Sequence, residues 1–307
     1  MIVLRSAPIH RPNGSFAFRR DPLPFVALTG FLIVNPRSGD GGTPTEELES
    51  EARSLGVVVH VLGEDDDLER LAREADADAL GMAGGDGSLA AVAGVAVERK
   101  LPFVCIPYGT RNHFARDLGL DRDDPVGALA AFAGHERRID LGRANGRAFL
   151  NNVSLGLYAR LVHRREHHRR RGQLFARARA YALLLQHRHP LELTLDGEQL
   201  DARIVLVANN SYSVELFSVG DRERLDEGCL HLYSAGGLVP GTWDERKGPR
   251  FTIGAAGPKL TVAVDGDPVE LETPLEFTVE PGALRVLVPP GVEHGRDDRE
   301  RELVARR

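Results

Sequence analysis

Between Phe31 and Ile106 short apolar strands and helical segments alternate four times with short connections, and this alternation limits the fold more than any other feature of the chain. Phe31–Asn35 reads as a strand. Thr43-Pro44-Thr45-Glu46 reads as a helix start, with Thr43 as cap, Pro44 at the first helical position and Glu46 closing a capping box. That helix runs to about Leu55, where Gly56 suits the left-handed position that ends a helix. Val57–Leu62, Ala79–Ala83 and Phe103–Ile106 read as further strands, with helices over Leu68–Ala75 and from Ser88 to Lys100. Strands separated by helices predict a parallel sheet covered on both faces.

The pattern changes near Asp140. Asn145-Gly146, Asp196-Gly197 and Asp265-Gly266 are hairpin turn signals between β-rich runs. Apart from a helical stretch around Gln173–Gln186, strands are expected at Ile139–Arg143, Phe149–Leu157, Ile204–Ala208, Leu230–Ser234, Lys259–Val264, Leu275–Val279 and Leu284–Val288. The fold class is therefore α/β plus all-β, with an N-terminal parallel-sheet domain over 25–139 and a C-terminal β-sandwich over 140–288. Residues 1–24 read as an irregular extension, and 289–307 are expected to rejoin the first domain.

The chain has 307 residues, 42 % hydrophobic and 27 % charged, which suits folded cores and excludes a disordered chain. Uncharged stretches such as Pro22–Pro36 are 15 residues long and proline-rich, short of the ~20 apolar residues a membrane span needs. The N-terminus lacks an apolar signal core, so a cytoplasmic protein is expected. Cys105 and Cys229 form neither a disulfide framework nor a zinc site by themselves. Net charge is −6, yet Arg160–His189 holds nine Arg against one acid, a local +8 on a body of −14. This points to a local anionic partner and away from general nucleic-acid binding. His163–Arg171, followed by Phe175, Tyr181 and Leu183–Leu185, reads either as an amphipathic element on anionic lipid or as a solvated helix face.

Three loops follow the carboxyl ends of strands, where ligands gather in open α/β sheets. They are Asn35-Pro36-Arg37-Ser38-Gly39, Gly84-Gly85-Asp86-Gly87-Ser88 and Pro107-Tyr108-Gly109-Thr110-Arg111-Asn112. Glycines let successive N–H groups converge on a phosphate, and the helix after Ser88 aims its positive end there. Asp86 inside such a loop implies a cation between it and the phosphates, hence a magnesium nucleotide. A Gly-Gly-Asp-Gly run alone is ordinarily a turn; three such loops on one sheet carry the reading.

Together Asn35–Gly39, Gly84–Ser88, Pro107–Arg116, Ile139-Asp140-Leu141-Gly142 and Phe149–Gly156 resemble the diacylglycerol/lipid kinase family, which includes sphingosine kinases and bacterial lipid kinases of the YegS type. The resemblance spans about residues 31–290. It implies ATP-dependent, Mg2+-dependent phosphorylation of a lipid hydroxyl in the cleft between the two domains. It places Asn35, Ser38, Gly39, Gly84, Gly85, Asp86, Gly87, Ser88, Gly109, Thr110 and Asn112 at the nucleotide, with Ser88 where Thr is more usual. It puts Asp140 and Asn151 on the substrate side, and a structural magnesium at Glu227 with the carbonyls of Leu230 and Leu232. The family's Asp-Gly-Glu, whose Glu is the catalytic base, is here Asp265-Gly266-Asp267, so the resemblance implies Asp267 as base beside a magnesium-coordinating Asp86. A NAD kinase-like enzyme and a catalytically weak nucleotide- or lipid-binding protein stand as alternatives, and a strand edge in the second domain offers a route to a homodimer.

Overall fold

The computed structural model describes residues 29–38, 42–156, 191–212, 214–215, 218–219, 222–235 and 243–292. The expected extension 1–24, the helical stretch Gln173–Gln186 with the basic run around it, Gly39 and the tail from 293 lie outside the described residues.

The first half follows the alternation: β1 (Gly30–Val34), α1 (Thr45–Ser54), β2 (Val58–Val61), α2 (Leu68–Glu74), β3 (Ala79–Gly84), α3 (Asp86–Arg99) and β4 (Phe103–Pro107). The strands run parallel in the order β2-β1-β3-β4. Every residue of β3 and β4 is buried, as central parallel strands covered on both faces must be. Leu80, Met82, Phe103 and Cys105 face the core under α2 and α3, whereas Leu32, Val34, Val104 and Ile106 face the core that includes Leu48 and Ala52 of α1. The short α4 (His113–Asp117), α5 (Pro125–Ala128) and a 3-10 turn at Leu129–Ala133 complete the cover.

Two helix starts differ from the sequence reading. α1 begins at Thr45 with Pro44 as its extended N-cap, a residue with no side-chain acceptor, while the Thr43 carbonyl one position earlier accepts the Tyr108 hydroxyl at 2.9 Å. α3 begins at Asp86, two residues ahead of Ser88, with Gly85 as its extended N-cap. Gly56 takes the left-handed conformation expected of it, at φ 78°.

The second half is built from β5 (His135–Ala144), β6 (Arg147–Phe149), β7 (Asn152–Gly156), β8 (Leu191–Leu195), β9 (Glu198–Ala202), β10 (Ile204–Asn209), the short pair β11 (Val214–Glu215) and β12 (Ser218–Val219), β13 (Leu230–Ala235), β14 (Asp244–Gly248), β15 (Arg250–Ala255), β16 (Lys259–Val264), β17 (Asp267–Glu272) and β18 (Leu275–Val288). One sheet runs β14-β13-β10-β7-β16-β17. It faces β5, β6, β8, β9, β15 and the first part of β18 across a core that includes Phe149, Leu155, Leu193, Leu232, Phe251 and Phe277. Positive φ at both residues of Asn145-Gly146, Asp196-Gly197 and Asp265-Gly266 gives the tight turns that suit the strand twist.

β18 joins the two halves. Phe277–Glu280 pair with Leu141–Ala144, and after a register shift Leu284–Val288 pair with His135–Ile139. Val286 and Leu287 also pair in parallel with Phe103 and Val104 of β4. The return to the first sheet is thus made by Leu284–Val288, ahead of residue 289, and the two strands expected at 275–279 and 284–288 are one. Between them Pro281-Gly282 forms a bulge, with Gly282 at φ 58°, that bends the strand from the sandwich onto the parallel sheet.

Candidate active site

The three glycine- and proline-rich loops meet at one rim of the parallel sheet. Asn35 turns its Oδ1 onto the N–H of Arg37 at 3.1 Å and donates from Nδ2 to Ser88 Oγ at 3.4 Å, so the first loop touches the start of α3. Gly109 lies on Gly85: a Cβ at 109 would sit 2.6 Å from the Gly85 Cα, and only glycine permits that approach. Asn112, buried and left-handed at φ 47°, accepts the Gly109 N–H on Oδ1 at 2.8 Å and so holds the third loop in shape.

Asp86 is the first residue of α3 and is 8 % exposed. Its two carboxylate oxygens accept the N–H groups of Phe114 (3.1 Å) and His113 (3.3 Å), tying the second loop to α4. Burial pushes the His113 imidazole down, against the pull of Asp86. Thr110 is exposed at the mouth of a cavity of about 270 Å³ that also borders Thr43, Tyr108, Gly109, Asn112 and Arg122.

The sandwich supplies the opposite wall. The β16–β17 hairpin carries Asp267 to the glycine loop, where a Cβ at Gly87 would overlap the Asp267 carboxylate and lie 2.8 Å from its Cγ. Two residues earlier, Asp265 accepts three backbone N–H groups, from Leu150 (2.8 Å), Asn151 (2.8 Å) and Asn152 (3.0 Å). Burial pushes Asp265 up to about 7; the three N–H groups oppose that rise, and the charge of Asp86 adds to it. A second cavity, of about 230 Å³, borders Gly87 and Val264 and is walled by Ala90, Ala91 and Gly94 of α3 and by Ala148, with Arg143 and Arg147 at its edge.

Asp140 and Asn151 belong to the framework of this wall. Asp140, 2 % exposed, accepts the N–H groups of Gly228 (2.7 Å) and Gly282 (2.8 Å), fixing one loop and the β18 bulge. Asn151 Oδ1 accepts from Arg222 Nη2 at 2.7 Å. Arg222 also donates to the carbonyls of Leu150 and Asn209, pairs with Asp117 Oδ2 at 2.7 Å and lies 5.1 Å from the Tyr212 ring centroid. Both Arg222 and Asp117 side chains are fully buried, so α4 is joined to the sandwich through one guanidinium.

At the Glu227 site, the side chains of Leu230 and Leu232 enter the sandwich core, and β13 is paired on both edges at these positions. The side chains that gather with Glu227 are Cys229 and His231. A thiol and an imidazole are poor donors for magnesium, so the donor set does not fit an oxygen-only magnesium cage.

Asp265, Arg222, Cys229 and His231 are absent from the candidate residues read from the sequence. The Asp-Gly turn signal masks Asp265, and nothing local marks Arg222, whose carboxylate partner is 105 positions away. Cys229 and His231 were legible only by their i+2 and i+4 spacing from Glu227.

Residues 29–144 match the diacylglycerol kinase catalytic domain. A probable YegS-like lipid kinase of Pseudomonas aeruginosa is 27 % identical over 261 residues, 76 % of this chain and 85 % of that protein. One from Cronobacter sakazakii is 25 % identical over 295 residues, 85 % of this chain and 96 % of its own. The crystal structure of a diacylglycerol kinase from Bacillus anthracis superposes with a TM-score of 0.62 at 21 % identity, covering 86 % of this chain and 98 % of that one, which shows the common fold. No helix among the described residues is long and apolar enough to cross a membrane. Over its first sheet the chain matches a diacylglycerol kinase catalytic domain, and along most of its length it is similar to YegS-like lipid kinases, so it is an enzyme related to the lipid kinases.

Proposed function

We propose that the enzyme transfers the γ-phosphoryl group of ATP to the hydroxyl of a diacylglycerol-like or sphingoid-like lipid. The observation that carries this reading is the Asp267 carboxylate lying over Gly87 of the glycine loop, which puts a proton acceptor beside a phosphate cradle. The N–H groups of Gly84–Ser88 bind the phosphates at the start of α3, and the loops with Asn35, Ser38, Gly39, Gly109, Thr110 and Asn112 enclose the nucleotide. Asp267 accepts the proton of the lipid hydroxyl. The oxygen then bonds to the γ-phosphorus as its bond to the ADP oxygen breaks. Asp86 would hold a magnesium ion entering with ATP, and the ion would offset phosphate charge at a rim that also carries Asp265 and Asp267. Asp265 acts as a positioning residue, because its oxygens are engaged by residues 150–152.

The cavity bordering Gly87 and Val264 admits the alcohol-bearing end of the lipid; its small side chains leave room beside α3. The basic run Arg164–Arg171 brings the enzyme to the inner membrane surface, where each basic residue contributes about 1 kcal/mol near anionic lipid. Vesicle pelleting that does not depend on anionic lipid would remove that contact.

The test of the activity is transfer of radiolabelled γ-phosphate from ATP to a panel of diacylglycerol, sphingoid base and extracted cell lipids, with NAD as the control acceptor. Labelled lipid is expected. Label on NAD alone would replace this reading with a NAD kinase-like one, and no transfer would leave a binding protein.

A further inference from the structure

On the outer side of β13 three chemically different ligand atoms converge. Glu227 Oε2 lies 2.8 Å from His231 Nε2, Cys229 Sγ lies 3.4 Å from the same nitrogen, and Sγ and Oε2 are 3.9 Å apart. A tetrahedral zinc ion with bonds of ~2.0–2.3 Å places its ligand atoms ~3.3–3.6 Å apart, so these separations match such a site with shifts of about half an ångström. His231 stands on β13, while Glu227 and Cys229 come from the loop before it, where Gly228 turns at φ 70°.

His231 Nδ1 is 2.7 Å from Glu245 Oε1, and the Cys229 thiol directs its proton at Glu227 Oε2, so Nε2, Sγ and Oε2 converge on one point that a cation can bond to in place of their shared protons. A carboxylate on the far nitrogen of a ligating histidine is the usual device for fixing the ring and raising its basicity. The frame is rigid: Asp140 holds the Gly228 N–H, Asn210 Oδ1 accepts the Glu227 N–H at 2.8 Å, and His231 is buried while Glu227 and Cys229 are half-exposed and reachable.

We infer that Glu227, Cys229 and His231 form a site for a borderline-soft divalent cation, zinc by preference, oriented by Glu245 and completed by solvent in the fourth position. Binding releases the thiol proton to solvent and leaves a thiolate on the metal. The site is separate from phosphoryl transfer and stands whether or not the proposed lipid activity does.

Cobalt(II) is the probe, added to the full chain freed of metal by chelation. One equivalent is expected to bind with a thiolate-to-cobalt charge-transfer band, to be displaced by zinc and to resist a hundredfold excess of magnesium. In C229S the band disappears, the buried Cys105 being left in place as a control. In E245Q cobalt affinity falls about 10–100-fold. Absence of the band from the wild type overturns the site, as does its persistence in C229S or its loss to magnesium; the wild-type spectrum decides alone if C229S does not fold. Unchanged affinity in E245Q removes the orienting role of Glu245.

Discussion

A carboxyl enclosed by protein, facing three backbone N–H groups and a neighbouring acid, is pulled both ways, and for Asp265 burial wins, at about 7. The unfolded carboxyl titrates near ~3.9. Between these values the folded state keeps a proton that the unfolded state has lost, so this contribution to stability is full below ~4 and is lost as pH rises through about 7. The Tm advantage of wild type over D265N should therefore shrink from pH 5 to pH 8; a constant difference would mean that Asp265 does not titrate there. Asp267 is the base of the proposed mechanism instead. D267N should lower kcat ~10²–10⁴-fold, the usual worth of a general base, with the circular dichroism spectrum unchanged. Gly87→Ala asks the same question from the other side. Its methyl group would displace the Asp267 carboxylate, the end of a short side chain, so activity should fall at least about tenfold with little change in Tm. A large Tm loss with normal turnover would separate the contact from catalysis.

Loops and strands pack backbone to backbone where side chains are absent, and Gly109 against Gly85 is such a place. A methyl group at 109 meets backbone that cannot rotate away, so G109A should cost about 1–3 kcal/mol in urea unfolding and weaken ATP binding together. Normal nucleotide affinity in that variant would show that the two loops need not touch. These loops were readable in the sequence because glycine, proline and asparagine act locally, and the strands before them are short apolar runs. What was not readable depended on distant partners. β14 is Asp-Glu-Arg-Lys-Gly, almost wholly exposed, and is a strand only because β13 lies beside it. α3 starts at Asp86, whose carboxylate serves α4, a contact no local signal announces. The two strands expected at 275–279 and 284–288 are one because their gap is a bulge, and a Pro-Gly pair makes a turn or a bulge according to what flanks it.

Two domains joined by a linker unfold separately when few contacts cross between them. Here β5 and β18 each run through both halves, side by side, and β18 hydrogen-bonds to β4 at one end and to β15 at the other. Asp140 stands at the junction, bonded to the bulge and to the sandwich loop at once. Arg222 adds a second crossing, from α4 to β10 and to Asn151 just ahead of β7. Pulling either half apart would break paired strands inside the other, so calorimetry should record one cooperative transition for the described body. Arg222→Ala tests what the buried crossing contributes. Removing one partner of a buried pair typically costs about 3–5 kcal/mol, because the groups left behind are desolvated and unmatched. Asp117 keeps Arg116 at 2.9 Å, but the carbonyls of Leu150 and Asn209 lose a donor. R222A should therefore lower the midpoint and keep a single transition, since the continuous strands still couple the halves. Two separated transitions in R222A would assign the coupling to the guanidinium, with β5 and β18 too weak to hold the halves together alone.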